Sequence, residues 1–138
     1  MDKKELIRKA IEAQQKAYVP YSKFKVGAAL LTEEGEVFTG CNIEIASYSP
    51  TICAERTAIF KAISEGLTKI KIIAVVGDAE FTYPCGVCRQ VIREFGKDAT
   101  IIIARSEEDY REYKLEDLLP YSFGPEDLKG NEQEWYNV

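Results

Sequence analysis

The sequence predicts an α/β protein in which helices cover a mixed β-sheet. Segments with the spacing of amphipathic helices alternate with short apolar runs that have the length of strands. Two of these runs, 70–76 and 100–104, are apolar almost throughout, which is the pattern of strands covered on both faces. At 138 residues the chain has the size of one compact domain, 1–138, and we expect 126–138 to form its C-terminal tail.

The first half of the chain predicts a helix, a hairpin and a second helix. Apolar residues recur at helical spacing over 3–17. Two strand-like runs, 26–31 and 37–41, flank an acidic turn in which Gly35 supplies the backbone freedom. Helical spacing returns over 52–65, where a glycine follows the last apolar position.

The second half continues the alternation of strands and helices. The apolar run 70–76 is followed by helical spacing over 86–95, with Pro84 before that helix and Gly96 after it. The remaining predicted elements are a strand at 100–104 and a short helix at 115–119. This order predicts a sheet with an antiparallel hairpin and a parallel remainder.

Composition excludes several classes of function. The net charge is −5, and the basic residues are scattered, whereas nucleic-acid-binding proteins usually carry a basic face. No apolar run approaches the roughly 20 residues that span a bilayer, and the first residues lack the apolar stretch of a secretory signal. We therefore expect a cytoplasmic protein that binds neither nucleic acid nor membrane and acts on a small neutral or cationic molecule.

Cysteines are the candidate metal ligands, because the chain contains no histidine. Cys53 and the pair Cys85 and Cys88 can supply three thiolates to zinc, which leaves one tetrahedral position open for water, as in catalytic zinc sites. We interpret Cys41 as a small buried apolar residue. If Cys41 were a fourth ligand, the zinc would be structural; the Cys-x-x-Cys pair alone could also be a redox pair.

Charge assigns roles to the neighbouring residues. The three cysteines fall at or just before the first turns of predicted helices, where the helix dipole lowers a thiol pKa. Zinc with three thiolates carries a formal charge of minus one, so Glu55 suits a proton carrier better than a fourth ligand. Arg56 and Arg89 can donate hydrogen bonds to the sulfurs and withdraw electron density from them.

Four segments, in order, resemble the small, homotetrameric type of cytidine deaminase. The segments are Tyr18–Leu30, Gly40–Glu44, the pair Cys53–Arg56 and Pro84–Gln90, and Leu118–Pro125. The resemblance implies a three-layer α/β/α fold with a mixed five-stranded sheet. It implies a zinc cofactor at the three cysteines, Glu55 as the proton shuttle, and hydrolysis of cytidine and 2′-deoxycytidine to uridine and 2′-deoxyuridine with release of ammonia, a reaction of pyrimidine salvage.

The resemblance also assigns residues to the nucleoside. Asn42 and Glu44 would bind the sugar hydroxyls, and Phe24 would pack against the nucleoside. One departure concerns the next position, where the family commonly has a second asparagine and this chain has Ile45. An isoleucine side chain cannot form the hydrogen bonds of an amide. Ile45 therefore affects what the resemblance implies about sugar recognition and not what it implies about zinc.

Further pocket residues imply shared active sites. By the resemblance, Phe123 would enter the pocket of a neighbouring subunit and stack on the base, and the loop 46–48, with Tyr48, would approach the sugar. Ala54 would line the same substrate pocket. A homotetramer with active sites shared between subunits is the corresponding assembly.

Two alternative functions share parts of this pattern. A deaminase of another aminated pyrimidine nucleoside, such as a blasticidin-type antibiotic, would use the same zinc chemistry. A non-catalytic structural zinc module that binds a protein partner would need Cys41 as the fourth ligand.

Overall fold

The computed structural model describes residues 1–128 and shows a five-stranded sheet between layers of helices. The strands are β1 (Val26–Thr32), β2 (Val37–Cys41), β3 (Ile70–Gly77), β4 (Thr100–Ala104) and β5 (Tyr110–Lys114). The helices are α1 (Lys3–Gln14), α2 (Ala54–Ser64), α3 (Gly86–Phe95), α4 (Leu115–Leu118) and α5 (Pro125–Leu128). The predicted tail at 126–138 lies outside the described residues from 129 onward.

The strand order is β2-β1-β3-β4-β5, and the sheet is mixed. As predicted, β1 and β2 form an antiparallel hairpin, with Gly35 at positive φ in its turn. The predicted parallel remainder is wrong except for one pair, since only β3 and β4 run parallel. Parallel pairing needs a long crossover, which α3 supplies between β3 and β4, whereas the short connection from β4 to β5 allows only an antiparallel pair.

Each face of the sheet packs against its own helical layer. Side chains alternate between the two faces of a strand, so neighbouring residues of β1 enter different cores. The core on the α1 side includes Leu6, Ile7, Ala10, Ala29, Ala74 and Ile102. The core on the α2 and α3 side includes Ala28, Leu30, Ile59, Val75, Ile92 and Ile103. The predicted three-layer α/β/α architecture is confirmed.

Strand β5 was not identified from sequence. Its sequence, YREYK, carries three charged residues, and its side chains are exposed or half-buried. It lies at the edge of the sheet, where strands are often polar because charge there prevents unwanted pairing with other chains. A search for apolar runs therefore misses it.

The end of α1 also differs from prediction, at Gln14 rather than Ala17. The chain leaves the helix because Tyr18 is hydrogen-bonded to a distant segment: its N–H donates to the carbonyl of Asn42, and its own carbonyl accepts from the N–H of Glu44. These long-range hydrogen bonds override the local helical pattern and end the helix early.

No helix within residues 1–128 has the length and apolar character needed to cross a bilayer.

Candidate metal centre and active site

The three predicted cysteine ligands meet where α2 and α3 begin. Cys53 is the N-cap of α2, and Cys85 is the N-cap of α3, with Cys88 in the first turn of that helix. Their sulfur atoms all lie within 4.8 Å of one another, and the Cys53 and Cys85 sulfurs are 3.7 Å apart. Because both helices start at the same end of the molecule, residues 32 apart in sequence become neighbours.

The start of α2 is set by a contact outside the helix. Helical spacing predicts a start at Ile52, but Ile52 forms an isolated antiparallel bridge with Ile43. Cys53 then has extended backbone angles, φ −78° and ψ 156°, and the helix begins at Ala54. The bridge therefore leaves the Cys53 side chain free to turn toward α3 instead of lying along the helix.

These sulfurs fit a zinc ion. Zinc–sulfur bonds of about 2.3 Å in a tetrahedral site separate two sulfurs by about 3.8 Å, close to the distance between Cys53 and Cys85. Among residues 1–128, Cys41 is not part of the group, and it is half-buried in the structure rather than buried as predicted. The donors that this group offers are therefore three thiols, one fewer than a tetrahedral ion takes.

The protonation of the sulfurs depends on their neighbours. The pKa of Cys53 is lowered to about 5, chiefly because the Cys88 thiol donates a hydrogen bond to its sulfur and also because the Arg56 guanidinium lies beside it. The pKa of Cys88 is raised by that same hydrogen bond and by burial. Cys53 is thus the first thiolate of the cluster, and a metal cation would draw the remaining protons from it.

Glu55 lies in the first turn of α2 with only 3% of its surface exposed. Burial raises its pKa to about 7, and the negative charge of Cys53 adds to the effect. Its own backbone amide and Arg56 act in the opposite direction. A carboxyl group with this pKa can both accept and release a proton near neutral pH, which is the requirement for a general acid and base.

The two predicted arginines have different partners. Arg56 donates from Nη2 to the Cys53 sulfur at 3.3 Å, as expected. Arg89 does not follow the prediction: it donates to the carbonyls of Pro84 and Leu118, both at 2.8 Å. Its side chain therefore fixes the turn before Cys85 instead of contacting a sulfur, because two unpaired carbonyls lie within its reach.

The sequence matches the family described as the cytidine and deoxycytidylate deaminase zinc-binding region over residues 1–104. The chain belongs to this family. It is 50% identical over 130 residues to a cytidine deaminase of Sporosarcina psychrophila, covering 93% of this chain and 96% of that one. It is 49% identical to the cytidine deaminase of Halalkalibacterium halodurans, covering 93% and 98% of the two chains.

Solved structures of this deaminase family are similar in fold. The crystal structure of cytidine deaminase from Burkholderia pseudomallei has a TM-score of 0.84 and 47% identity, covering 89% of this chain and all of that chain. The Mycobacterium tuberculosis cytidine deaminase has a TM-score of 0.79 and 41% identity, covering 90% and 98%. The family match indicates a zinc protein, and the cluster of three cysteines is compatible with a zinc site.

An open pocket of about 390 Å³ in the deaminase chain includes predicted sugar-binding residues. It is lined by Tyr21, Ser22, Glu44, Tyr48 and Thr51. Glu44 Oε1 accepts from the backbone N–H groups of Tyr21 and Ser22, at 3.1 and 3.0 Å, so this carboxylate is fixed against the loop at 21–22.

Asn42 has structural partners that sequence did not indicate. Its Nδ2 donates to the Phe24 carbonyl at 2.8 Å, and its Oδ1 accepts from the Val26 N–H at 2.9 Å. An amide has two donors and two acceptor positions, so one hydrogen and one lone pair remain for a ligand. Asn42 thereby holds the backbone on either side of residue 25 and fixes the position of Phe24.

The other predicted pocket residues differ in exposure. Ala54 is fully buried, and Phe24 is partly exposed. Tyr48 is 70% exposed, at positive φ, and Phe123 is 57% exposed. Within one chain these two aromatic side chains therefore remain largely in solvent.

Sequence reasoning missed Thr57 and Gly40, which connect β2 to the start of α2. The Thr57 hydroxyl donates to the carbonyls of Cys41 and Cys53 at 3.1 and 3.2 Å. A Cβ on Gly40 would lie 2.6 Å from the Ala54 carbonyl oxygen. The only sequence signal was a glycine inside a strand, which often marks a close backbone approach.

Proposed function

We propose that this chain is a zinc-dependent hydrolase that converts cytidine and 2′-deoxycytidine to uridine and 2′-deoxyuridine with release of ammonia, in pyrimidine salvage. The observation that carries the proposal is a cluster of three cysteine sulfurs beside a buried carboxyl group of near-neutral pKa. Cys53, Cys85 and Cys88 would hold the zinc. When bound, the ion supplies a nucleophile at neutral pH by lowering the pKa of water.

In this proposal Glu55 carries the protons. It takes one from the attacking water and delivers it to the ring nitrogen next to the carbon that bears the amine, which makes that carbon electrophilic. It then moves the second proton of the same water to the departing amine. A carbon–oxygen bond forms, the carbon–nitrogen bond breaks, and the leaving group departs as ammonia. The near-neutral pKa of Glu55 supports both directions of transfer.

Sugar recognition in the proposal uses Asn42 and Glu44. The lone pair and hydrogen that Asn42 keeps, and the carboxylate of Glu44, are suited to the hydroxyl groups of ribose. Phe24 would pack on the nucleoside, and Ala54 would line the pocket close to Glu55. Arg56 would hold the Cys53 sulfur, and Arg89 the turn before Cys85.

We extend the proposal to a cytoplasmic homotetramer formed by a single domain of residues 1–138. Four unpaired thiols favour a reducing compartment. Large aromatic side chains at the surface support an assembly in which Tyr48 and Phe123 complete pockets of neighbouring subunits, since exposed apolar area usually marks an interface.

Replacement of Glu55 by glutamine tests the function. We expect kcat for cytidine to fall by about 10²–10⁴-fold, because the amide cannot transfer a proton, while zinc content stays at one ion per chain. Glu65→Gln, at the exposed end of the same helix, is the matched control and keeps wild-type turnover. Full turnover in Glu55→Gln would contradict the role of Glu55, and a wild-type enzyme without cytidine turnover would contradict the function itself.

A further inference from the structure

Residues 118–126, here called the C-terminal arch, cross α3 and are held by side chains of that helix. Arg89 donates to the Leu118 carbonyl and Gln90 donates to the Phe123 carbonyl, both at 2.8 Å. Arg93 donates from Nε to the Ser122 hydroxyl, also at 2.8 Å. The arch is therefore attached to the helix that begins with two of the zinc-binding cysteines.

Arg93 is the centre of this attachment. Only 7% of its surface is exposed, and it forms an ion pair with the Glu126 carboxylate. A charged group this buried is unfavourable unless it is paired and hydrogen-bonded. Both conditions are met by partners on the arch, Ser122 and Glu126, one on each side of Gly124.

Gly124 shows how closely the arch follows the guanidinium group. A Cβ at this position would lie 2.5 Å from Cζ of Arg93, which is closer than such atoms approach. The backbone at 124 thus packs directly on the planar guanidinium. The backbone of the arch at 124 can follow this path because residue 124 has no side chain that would collide with the guanidinium of Arg93.

On its outer side the arch presents aromatic residues. Phe123 is 57% exposed, and Tyr121 is fully exposed with a positive φ of 53°. The residue immediately before Phe123 binds Arg93 through its side chain, and the carbonyl of Phe123 itself binds Gln90. The backbone of Phe123 is therefore held by α3 while more than half of the residue's surface remains in solvent.

We propose that Arg93 is a positioning residue that holds the C-terminal arch so that Phe123 can contact the base bound in a neighbouring subunit. This inference rests on the proposed function. Arg93 contacts neither zinc nor substrate; it acts through Ser122 and Glu126 on the direction of Phe123. Its loss should therefore impair nucleoside binding in the same way as loss of the Phe123 ring.

Steady-state kinetics with cytidine test the proposal on zinc-loaded Arg93→Ala, Phe123→Ala and the double variant. Loss of base stacking is expected to raise KM about tenfold in each single variant, with a much smaller change in kcat. The double variant should show no further increase, because Arg93 acts only through Phe123. Arg93→Lys, which keeps the charge but loses the planar fork, should lie between wild type and Arg93→Ala.

Lys97→Ala is the matched control. Lys97 also faces Glu126, at 3.8 Å, but is 62% exposed, so its removal should leave KM unchanged. If Arg93→Ala does not fold, Glu126→Gln and Ser122→Ala remove the same contacts from the arch side and should raise KM in the same direction. A wild-type KM in the folded variants, or effects of Arg93→Ala and Phe123→Ala that multiply, would overturn the proposal.

Amide hydrogen exchange separates this inference from the proposed function. Residues 119–126 should exchange faster in Arg93→Ala than in wild type, whether or not the protein turns over cytidine. Unchanged exchange in that segment overturns the positioning role. Absence of wild-type turnover with faster exchange in the variant overturns the proposed function and leaves Arg93 as the anchor of the arch.

Discussion

Glu44 illustrates how a single exposed side chain is set up for binding. The Ser22 hydroxyl and the backbone N–H groups of Ser22 and Tyr21 surround its carboxylate and hold its pKa below the ordinary value. These donors favour the ionised form, which is the form that accepts hydrogen bonds from sugar hydroxyls. The loop 21–22 and the segment after β2 are joined by the same bonds.

Replacement of Ser22 by alanine should raise the pKa of Glu44 toward its ordinary value, because the largest contribution to the lowering is lost. In the wild type, the pKa of Glu44 is lower in the folded chain than in the unfolded chain. The ionised carboxylate therefore stabilises the fold at pH values above the unfolded-state pKa, and this stabilisation is lost as the pH falls through the folded-state pKa. An NMR titration of the Glu44 carboxyl measures the shift. Ser64→Ala, whose hydroxyl contacts only the Lys61 carbonyl, should leave the titration unaltered; an unaltered titration in Ser22→Ala would refute the prediction.

At the scale of residues, sequence was most informative where chemistry is local. Cys85 and Cys88 lie three positions apart, a local spacing typical of a pair that binds one metal ion or acts as a redox pair, and Cys53 with Glu55 favoured the metal site. Arg89 was assigned to the wrong partner because one of the two carbonyls that accept its hydrogen bonds belongs to Leu118, 29 positions away in the sequence. The backbone contacts of Asn42 were missed for the same reason, since they depend on how the segment around Phe24 is folded.

Among the elements, the contact between β2 and α2 places Cys53 and Glu55. Gly40 lets the strand approach the helix backbone, and the Thr57 hydroxyl links the two elements. The first turn of α2 is thus fixed against the sheet. Small errors in this contact would move the carboxyl of Glu55 relative to the sulfurs.

Gly40→Ala should destabilise the protein by about 1–3 kcal/mol, because the new Cβ would lie 2.6 Å from the Ala54 carbonyl oxygen and from the Ala58 nitrogen. Thermal unfolding measures the loss, and zinc retention against a chelator should fall as α2 shifts. Gly86→Ala is the comparison, since its Cβ would meet open space. Equal melting temperatures for Gly40→Ala and wild type would show that the strand and helix can separate without cost.

Element prediction succeeded where burial produces a pattern and failed where pairing alone defines the element. β2, α3 and β4 match their predicted bounds, and each has an apolar face or an apolar run. β5 is a strand because its backbone pairs with β4, and the pattern of its polar side chains does not indicate that pairing. The early end of α1 likewise depends on a bridge to residues 42–44.

At the scale of the whole molecule, the exposed aromatic residues bear on assembly. Tyr48 and Phe123 are largely in solvent in one chain, although the proposed function places both next to a nucleoside. The resemblance predicted subunit-shared sites, but periodicity and composition cannot reveal a symmetry that depends on surfaces. The proposed homotetramer would resolve the conflict between exposure and function.

Subunit mixing tests this arrangement. Chains with Glu55→Gln lack the proton carrier, and chains with Phe123→Ala lack the stacking ring. If the two residues of one pocket come from different subunits, refolding the variants together should give kcat/KM for cytidine above that of either variant alone, because some pockets then contain both native residues. Mixing Glu55→Gln chains with chains that carry both substitutions should restore nothing. A kcat/KM for the first mixture no higher than that of the Phe123→Ala variant alone would place both residues of each pocket on the same chain.

The β1–β2 hairpin turn at 33–36 suggests a practical use of this fold. β2 runs from the turn toward Gly40, whose neighbours lie in the first turns of α2, so the turn and the cysteine cluster lie at opposite ends of this five-residue strand. Gly35 has open space around it. A fluorescent label or a linker to a solid support inserted there would lie away from the cysteine cluster, which makes the turn a suitable attachment point for a biosensor.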